Sequence, residues 1–440
     1  MSEALLDSVP LPLRAFVSSY VGVVPVLNEC MVAPDEPRLV KVSSETAQGD
    51  GLVGASLGHA GGMGGTGFTR ADAVSAAIGE ALERYSGSYL PSERFVLATA
   101  EELGPAAVPP DSFALFHESQ YLRTGFPFTR FTSESRVHWV DGQDLETREP
   151  AWLPVELVFL SHPSESCEAR IGYATSSGMA CADSEVGAIS RGLLELLERD
   201  AFMLVWSNRL SLPRLDWSSH ERLSAIDREC FAPTGLDYAA LDLSVFHDLP
   251  IVLGVVRAPG ADGALGVGAA AAPGVERACW KALSEAFASR SAGWKLSLVR
   301  PERTFEEDGE DITSFEDHIQ FYSAEHRAER ASFLTGSRRT RCVDEVPRLS
   351  EPWDRHLSSL VARIQRAGSK AFAVDVTAPD IASAGLRVTK TVAPGLCALD
   401  VAHRARFLGS PRLLDASKRA MLTPRSFGIE DLNPLPHPFP

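Results

Sequence analysis

TSSGMACADSEVGAISRGLLELLERDAFMLVW, from Thr175 to Trp206, is the stretch whose reading decides the fold. Ile189, Leu193, Leu196, Leu197 and Ala201 recur at three- and four-residue intervals, which predicts a long helix with a buried face. Glu195, Glu198 and Arg199 are set into that apolar segment. Positions three and four apart on a helix stand side by side, so these charges form one polar cluster. Carboxylates enter a buried helix when they are paired or hold a metal.

The arrangement recurs. ADAVSAAIGEALERYSG (Ala71 to Gly87) repeats the ExxER spacing with Glu80, Glu83 and Arg84 in an Ala-rich helix. VERACWKALSEAFASRSAG (Val275 to Gly293) is a looser third copy with Glu285 and Arg290. Two readings of these helices stand side by side. Each glutamate neutralises its arginine in a structural pair, or the set holds a metal and an anionic ligand.

Composition narrows the class. The chain has 440 residues, 45% of them hydrophobic, enough for a large core or two to three subdomains. Lys plus Arg number 42 against 58 Asp plus Glu, a net charge of −16, which disfavours nucleic acid or an anionic membrane as the main partner. No apolar run reaches membrane-spanning length, and MSEALLDSVPLPLRAF lacks the basic start and apolar core of a signal peptide. The seven cysteines form no CxxC or Cys/His metal spacing and read as reduced, mostly buried thiols, so the expected location is the cytoplasm.

In chain order, residues 1–50 are a lead-in with strands expected in SYVGVVPVL and PRLVKVSS. Gly62, Gly64 and Gly67 then spell GxGxxG before a helix that Thr69 caps and Asp72 opens. A dinucleotide fingerprint needs a strand running into those glycines and an acidic residue ending a second strand about twenty positions later. The preceding residues are small and glycine-rich, so the expectation is a flexible loop at a helix start, turning the chain or approaching a phosphate. FVLAT, RVHWV and AWLPVELVFL read as short strands in a peripheral subdomain at about 88–166. Ala239–Val256 and Ala264–Ala272 read as strands around a Pro-Gly turn, and PERTFEEDGEDITSFEDH (301–318) as a solvated acidic loop. RHLSSLVARIQRAG is a helix leading into the strand KAFAVDVT. The class is α+β, a mixed α/β fold. The tail at 432–440 carries proline at 434, 436, 438 and 440, a stiff extended segment able to place its end in a site.

Taken together, GGTG…SAAIGEALERYSG, TSSGMA…GLLELLERDAF, ALSEAFASR, RVTKTVAPGLCALD…GSPRL and PLPHPFP, in that order, resemble the YcaO family, specifically its azoline-forming cyclodehydratases. The resemblance spans about residues 51–440 and implies a YcaO-like fold with an ATP site built from several helices. It also implies a reaction on ribosomal precursor peptides. A substrate Cys, Ser or Thr attacks its preceding backbone carbonyl, the amide oxygen takes the γ-phosphate of ATP, and loss of phosphate leaves a thiazoline or oxazoline. By position, Glu80, Glu83, Glu195 and Glu198 match the Mg2+ ligands. Ser75, Glu80, Arg84, Ser177, Arg199, Glu285 and Arg290 match the ATP-binding set. Pro436, Pro438 and Pro440 match the catalytic tail of the azoline-forming branch, which thioamide- and amidine-forming relatives lack. Magnesium favours carboxylate and phosphate oxygens, and a triphosphate favours arginine, so the residues themselves agree with these roles.

Three positions depart from the family pattern: Ala76 replaces a Ser, Ser177 an Asn and Ala288 a Gln. Each removes a polar contact, which keeps a catalytically weak or inactive scaffold, or a thioamide/amidine-forming enzyme, as the alternative reading. The resemblance further implies a homodimer, a separate ThiF-like, leader-binding partner, since the lead-in is short, and an azoline dehydrogenase as an additional partner.

Overall fold

The computed structural model describes residues 3–47, 63–162, 168–258, 260, 263–349 and 353–440. Three sheets carry three long helices. The first sheet orders β1 (Val26–Glu29), β2 (Val40–Glu45) and β3 (Met63–Gly67), all antiparallel. The second contains β4 (Val96–Ala98), β5 (Val137–Asp144), β7 (Met179–Ala182), β13 (Phe372–Asp375) and β14 (Arg387–Val392) in the order β4-β5-β13-β14-β7, with β6 (Pro150–Pro154) paired to β5. The third runs β11 (Leu265–Ala271), β10 (Ile251–Arg257), β9 (Asp237–Asp242), β8 (Arg214–Asp216) and β12 (Thr340–Cys342). Strands β4–β6 therefore extend a sheet shared with β13, β14 and β7. Mixed helix and sheet is the architecture expected from the sequence.

Each motif helix lies on a different sheet. Helix α1 (Arg70–Ser88) packs on β3 and β2, α2 (Glu185–Ser207) on β14 and β7 with β11 on another side, and α3 (Val275–Val299) on β11 and β10. Caps set the first two starts: Thr69 Oγ1 accepts the Asp72 N–H at 3.2 Å, and Ser184 Oγ accepts that of Gly187 at 3.3 Å. Helix α2 is enclosed on nearly every side, with Ile189, Leu193, Leu197, Ala201 and Leu204 at 2% exposure or less. Further packing on α2 comes from α5 (Trp353–Arg366) and α6 (Arg412–Arg419); α4 (Phe315–Phe321) packs on α3.

The expected glycine loop before α1 is a strand across Met63–Gly67; Gly62 lies outside the described residues. Glycine is a weak strand former, but a Cβ on Gly65 would stand 2.0 Å from the Ala73 carbonyl oxygen and 2.5 Å from Ala77 N, so only glycine admits α1 this close. Gly268 plays the same part under α3, where a Cβ would meet Ala286 N and Glu285 Cβ, each at 2.5 Å. Expected strand 239–256 divides into β9 and β10, and expected strand AWLPVELVFL keeps only β6 before a 3-10 turn at Val155–Leu157. The acidic stretch 301–318 ends in α4, not loop. Its Asp317 is 3% exposed and takes Arg300 at 2.7 Å and Arg303 at 2.9 Å, so burial is met by two arginines. Six cysteines among the described residues are free, four of them buried. No helix among the described residues is long and apolar enough to cross a membrane.

Candidate active site

The two ExxER motifs share one construction. Each of their glutamates accepts a backbone N–H from a neighbouring strand or the residue leading into it: Glu80 from Gly64 (3.0 Å), Glu83 from Cys181 (2.8 Å), Glu195 from Gly178 (3.2 Å) and Glu198 from Ala271 (2.8 Å). The arginines take other oxygens. Arg84 lies 3.6 Å from Glu80 Oε1, and Arg199 lies 3.2 Å from Glu195 Oε1 and 3.4 Å from Glu198 Oε1. Helix α3 adds Glu285, 3.5 Å from Lys281 one turn earlier. Strand β14 adds Lys390, whose Nζ donates to the carbonyls of Thr175 and Ser177, both at 2.6 Å.

These groups feel one another. Burial, with Glu195 and Glu80 nearby, pushes Glu83 up to about 8. Burial also raises Glu198, with Glu195 adding to the effect, and takes Glu285 to about 7 in the company of Glu198 and Glu195. Lys390 falls to about 8 through burial, opposed by Glu195. Water nonetheless reaches the set: Glu195, Glu80, Glu285 and Lys281 are 28%, 34%, 35% and 48% exposed at their side chains, while Glu198 is 6% exposed. The glutamates thus form a cluster that solvent reaches, a site cleft and not a sealed core in that sense alone.

That distribution tests the fit of a metal and a nucleotide. Carboxylates held this close resist full ionisation, and a divalent cation is what makes them ionise together. Glu83 forms no salt bridge among the described residues, so pairing with arginine does not account for it. Magnesium usually takes one or two carboxylates and completes its shell with phosphate oxygens and water, which suits glutamates spread over three helices. Arg199 Nε has no hydrogen-bond partner among the described residues and Nη1 has only its 3.4 Å ion pair with Glu198, so the guanidinium is not saturated by the glutamates around it. The residues fit Mg2+ and ATP.

The tail closes one side of this cleft. Five consecutive carbonyls are each taken by a side-chain donor: Asn433 by Arg406 (2.7 Å), Pro434 by His403 (2.9 Å), Leu435 by Trp206 (3.1 Å), Pro436 by Tyr322 (2.6 Å) and His437 by His318 (2.7 Å). Alternate prolines have no N–H to satisfy, so an extended segment enters the interior with few orphan donors. Pro436, His437, Pro438 and Phe439 are buried and Pro440 is exposed. The guanidinium of Arg199 lies 4.1 Å from the centroid of the Phe439 ring, joining tail and ExxER motif directly.

Of the residues read from sequence, Glu80, Glu83, Arg84, Glu195, Glu198, Arg199 and Glu285 come together. Ser177 adjoins them through its carbonyl on Lys390. Ser75 sits one turn into α1 and spends its hydroxyl on the Ala71 carbonyl at 2.7 Å. Arg290 stands apart: it pairs with Asp35 and donates through Nε to Gly263 O at 3.2 Å. Five residues beyond Glu285 is about 140° around a helix, so the pair never shared a face. Ala76 is exposed on α1 and Ala288 half-buried on α3. Lys281, Lys390 and Phe439 were missed as site residues. Lys281 had a signal, its i, i+4 spacing to Glu285; a lone lysine in RVTKTV had none.

A family model described as YcaO cyclodehydratase, ATP- and Mg2+-binding, matches residues 64–397. A solved heterocyclase in complex with substrate and cofactor superposes with a TM-score of 0.77 at 25% identity, over 97% of this chain and 57% of that one. The YcaO protein of Methanopyrus kandleri, bound with AMPPCP and Mg2+, superposes with a TM-score of 0.58 at 20% identity, over 87% of this chain and 88% of that one, a likeness of fold. An uncharacterized protein of Methanothermobacter thermautotrophicus (strain Delta H) is 28% identical over 249 residues, 54% of this chain and 60% of the relative. The chain therefore spans less than two thirds of both the heterocyclase and the curated relative. With a family model matched over residues 64–397, which takes in all three motif helices, the chain belongs to the YcaO family, whose model is described as ATP- and Mg2+-binding cyclodehydratase.

Proposed function

We propose that the protein is an ATP-dependent peptide cyclodehydratase that converts Cys, Ser or Thr of a ribosomal precursor peptide to thiazoline or oxazoline. The observation that carries this is the cluster of four motif glutamates, each fixed by a backbone amide in or just before a strand, with the tail meeting it where Phe439 covers Arg199. ATP supplies the phosphoryl group that turns the amide oxygen into a leaving group. Glu80, Glu83, Glu195 and Glu198 would hold Mg2+, and Arg84, Arg199, Lys281 and Lys390 would offset phosphate charge as it builds. Glu285 positions Lys281. Phe439 holds the plane of Arg199, and the tail keeps water from that side of the cleft. Of the prolines, Pro436 and Pro438 are buried, and exposure of Pro440 next to Phe439 supports the reading that it is the one to meet the peptide.

A separate partner that binds the leader and presents the peptide belongs to the same proposal, as do a homodimer and a dehydrogenase acting on the product; co-purification and size-exclusion chromatography test them. The decisive experiment measures phosphate release and loss of water by mass spectrometry with the precursor peptide and partner, beside a Glu195→Gln/Glu198→Gln variant. Coupled phosphate and water loss, absent in the variant, supports the proposal. Peptide binding with neither signal favours the scaffold reading that Ala76 and Ala288 suggest, and sulfur gain without ring closure favours thioamide formation.

A further inference from the structure

We propose a second metal site, for a divalent transition-metal ion of which Zn2+ is the first choice, formed by His138, His162 and Glu168. It is independent of the nucleotide cleft. His138 lies on β5, five residues before Gln143, where β13 pairs, and β14 with Lys390 lies beyond β13, so the site is offset from Lys390 by two strands, about 10 Å, across the sheet and by well over 10 Å along β5.

Three separate segments bring these side chains together. Nδ1 of His138 is 2.7 Å from Glu168 Oε1, and Nε2 of His162 is 3.2 Å from both oxygens of Glu168. One ligand atom from each of the three residues lies within 4.8 Å of the others. Bonds of about 2.0–2.1 Å to a tetrahedral zinc place ligand atoms about 3.3 Å apart, so binding asks for shifts of only a few tenths of an ångström to about 1.5 Å. Two imidazoles and one carboxylate are a donor set that zinc and its neighbours prefer over magnesium.

The surroundings support the ligands. The carboxylate of Glu168 is oriented by the backbone N–H of His138 at 3.1 Å, a second interaction on the oxygen that faces Nδ1. Ala169 N–H donates to Arg136 O at 2.9 Å, fastening the Glu168 segment beside β5. Phe95 packs against both imidazoles, with ring centroids 6.3 and 6.2 Å away. Side-chain exposure of 3% at Glu168, 7% at His162 and 17% at His138 keeps the carboxylate out of water and leaves an opening on the His138 side for a fourth ligand. The contrast with His318, Asp400 and His437 is informative. There every imidazole nitrogen already serves the backbone: His318 meets the carbonyls of His437 and Val401, and His437 meets Asp400 O and the Phe439 N–H. That cluster anchors the tail; the His138 cluster points its nitrogens at one shared carboxylate.

The test uses the purified full chain, stripped with chelator and titrated with Zn2+ in millimolar Mg2+. The expected result is one Zn2+ per chain, unaffected by Glu195→Gln/Glu198→Gln, with affinity falling about 100-fold or more in His162→Ala and in Glu168→Gln. Co2+ substitution of the wild type should give the intense visible bands of a tetrahedral N/O site, a readout that needs no variant to fold. Unchanged Zn2+ uptake in the His162 and Glu168 variants, no uptake by the wild type, or a weak octahedral Co2+ spectrum overturns the proposal.

Discussion

Asp200 sits one residue beyond Arg199 on α2 and is fully buried. Its Oδ1 accepts from Arg412 Nε at 2.8 Å and Cys397 N–H at 2.9 Å, and its Oδ2 from Arg412 Nη2 at 2.6 Å and His247 Nε2 at 2.8 Å. Asp200→Asn keeps the shape but removes the charge, and turns an amide NH2 toward a guanidinium that itself is 11% exposed. Breaking one side of a buried ion pair costs about 3–5 kcal/mol; the slight exposure of Arg412 puts the expected loss near about 3 kcal/mol. Asp415–Arg419, also at 2.6 Å but 30% and 70% exposed, supplies the control: Asp415→Asn should cost about 0.5 kcal/mol or less. The arginine and burial act in opposite directions on Asp200, and its carboxyl is held well below the usual range. The sign follows: a depressed acid stabilises above its unfolded value of about 3.9, so the gap between wild type and Asp200→Asn stays constant at pH 5 and above. It closes only as pH falls through and below about 4. Urea unfolding followed by tryptophan fluorescence, at several pH values, measures it. A loss under about 1 kcal/mol, or one equal to that of Asp415→Asn, would refute the argument that this pair pins α2.

Phe439→Ala should free the tail without unfolding the protein. Burial of the ring is worth about 2–3 kcal/mol and its contact with Arg199 about 1, against the ordering cost of the segment, so amide exchange at Leu435 and at the substituted position should rise at least tenfold while the global midpoint moves little. Asp400 is 1% exposed, neither carboxylate oxygen has a hydrogen bond among the described residues, and burial pushes it up to about 7. A raised acid loses the protein stability as pH climbs from about 4 to 7, so Asp400→Asn should gain on the order of 2 kcal/mol at pH 8 and little at pH 4, as thermal melts at the two pH values would show. Gly268→Ala should weaken ATP binding by tilting Glu285 away, read as a rise in the nucleotide Kd; unchanged affinity would show that α3 has room to yield.

How much of this was legible in advance depends on the kind of signal. Charges at fixed spacing in an apolar helix announce themselves, because desolvation makes a buried carboxylate too costly to be incidental; Glu80, Glu83, Glu195 and Glu198 were readable for that reason. The strand amides that fix them were not, since Gly64, Gly178, Cys181 and Ala271 contribute backbone, which carries no residue code. Met63–Gly67 was misread because the physical reason for its glycines is a helix lying on them, a tertiary fact. Arg290 follows Glu285 by five residues, about 140° around the helix, and its partners Asp35 and Gly263 lie far away in the sequence, where no spacing points to them. The tail's stiffness was plain from its prolines, whereas Arg406, His403, Trp206, Tyr322 and His318 come from places in the sequence with no spacing to unite them.

Those five donors have a consequence for how freely the tail can change. They address carbonyl oxygens, and every amino acid has one. The groove therefore recognises a path through space, and many different side chains are compatible with following it. Pro434, exposed, is a position where sequence can drift at little expense provided the backbone stays extended. Leu435 and Phe439, whose side chains are buried, are where drift stops. Variation across this segment should therefore be confined to its exposed positions, with the extended path held by the carbonyls and the buried side chains of Asn433, Leu435, His437 and Phe439.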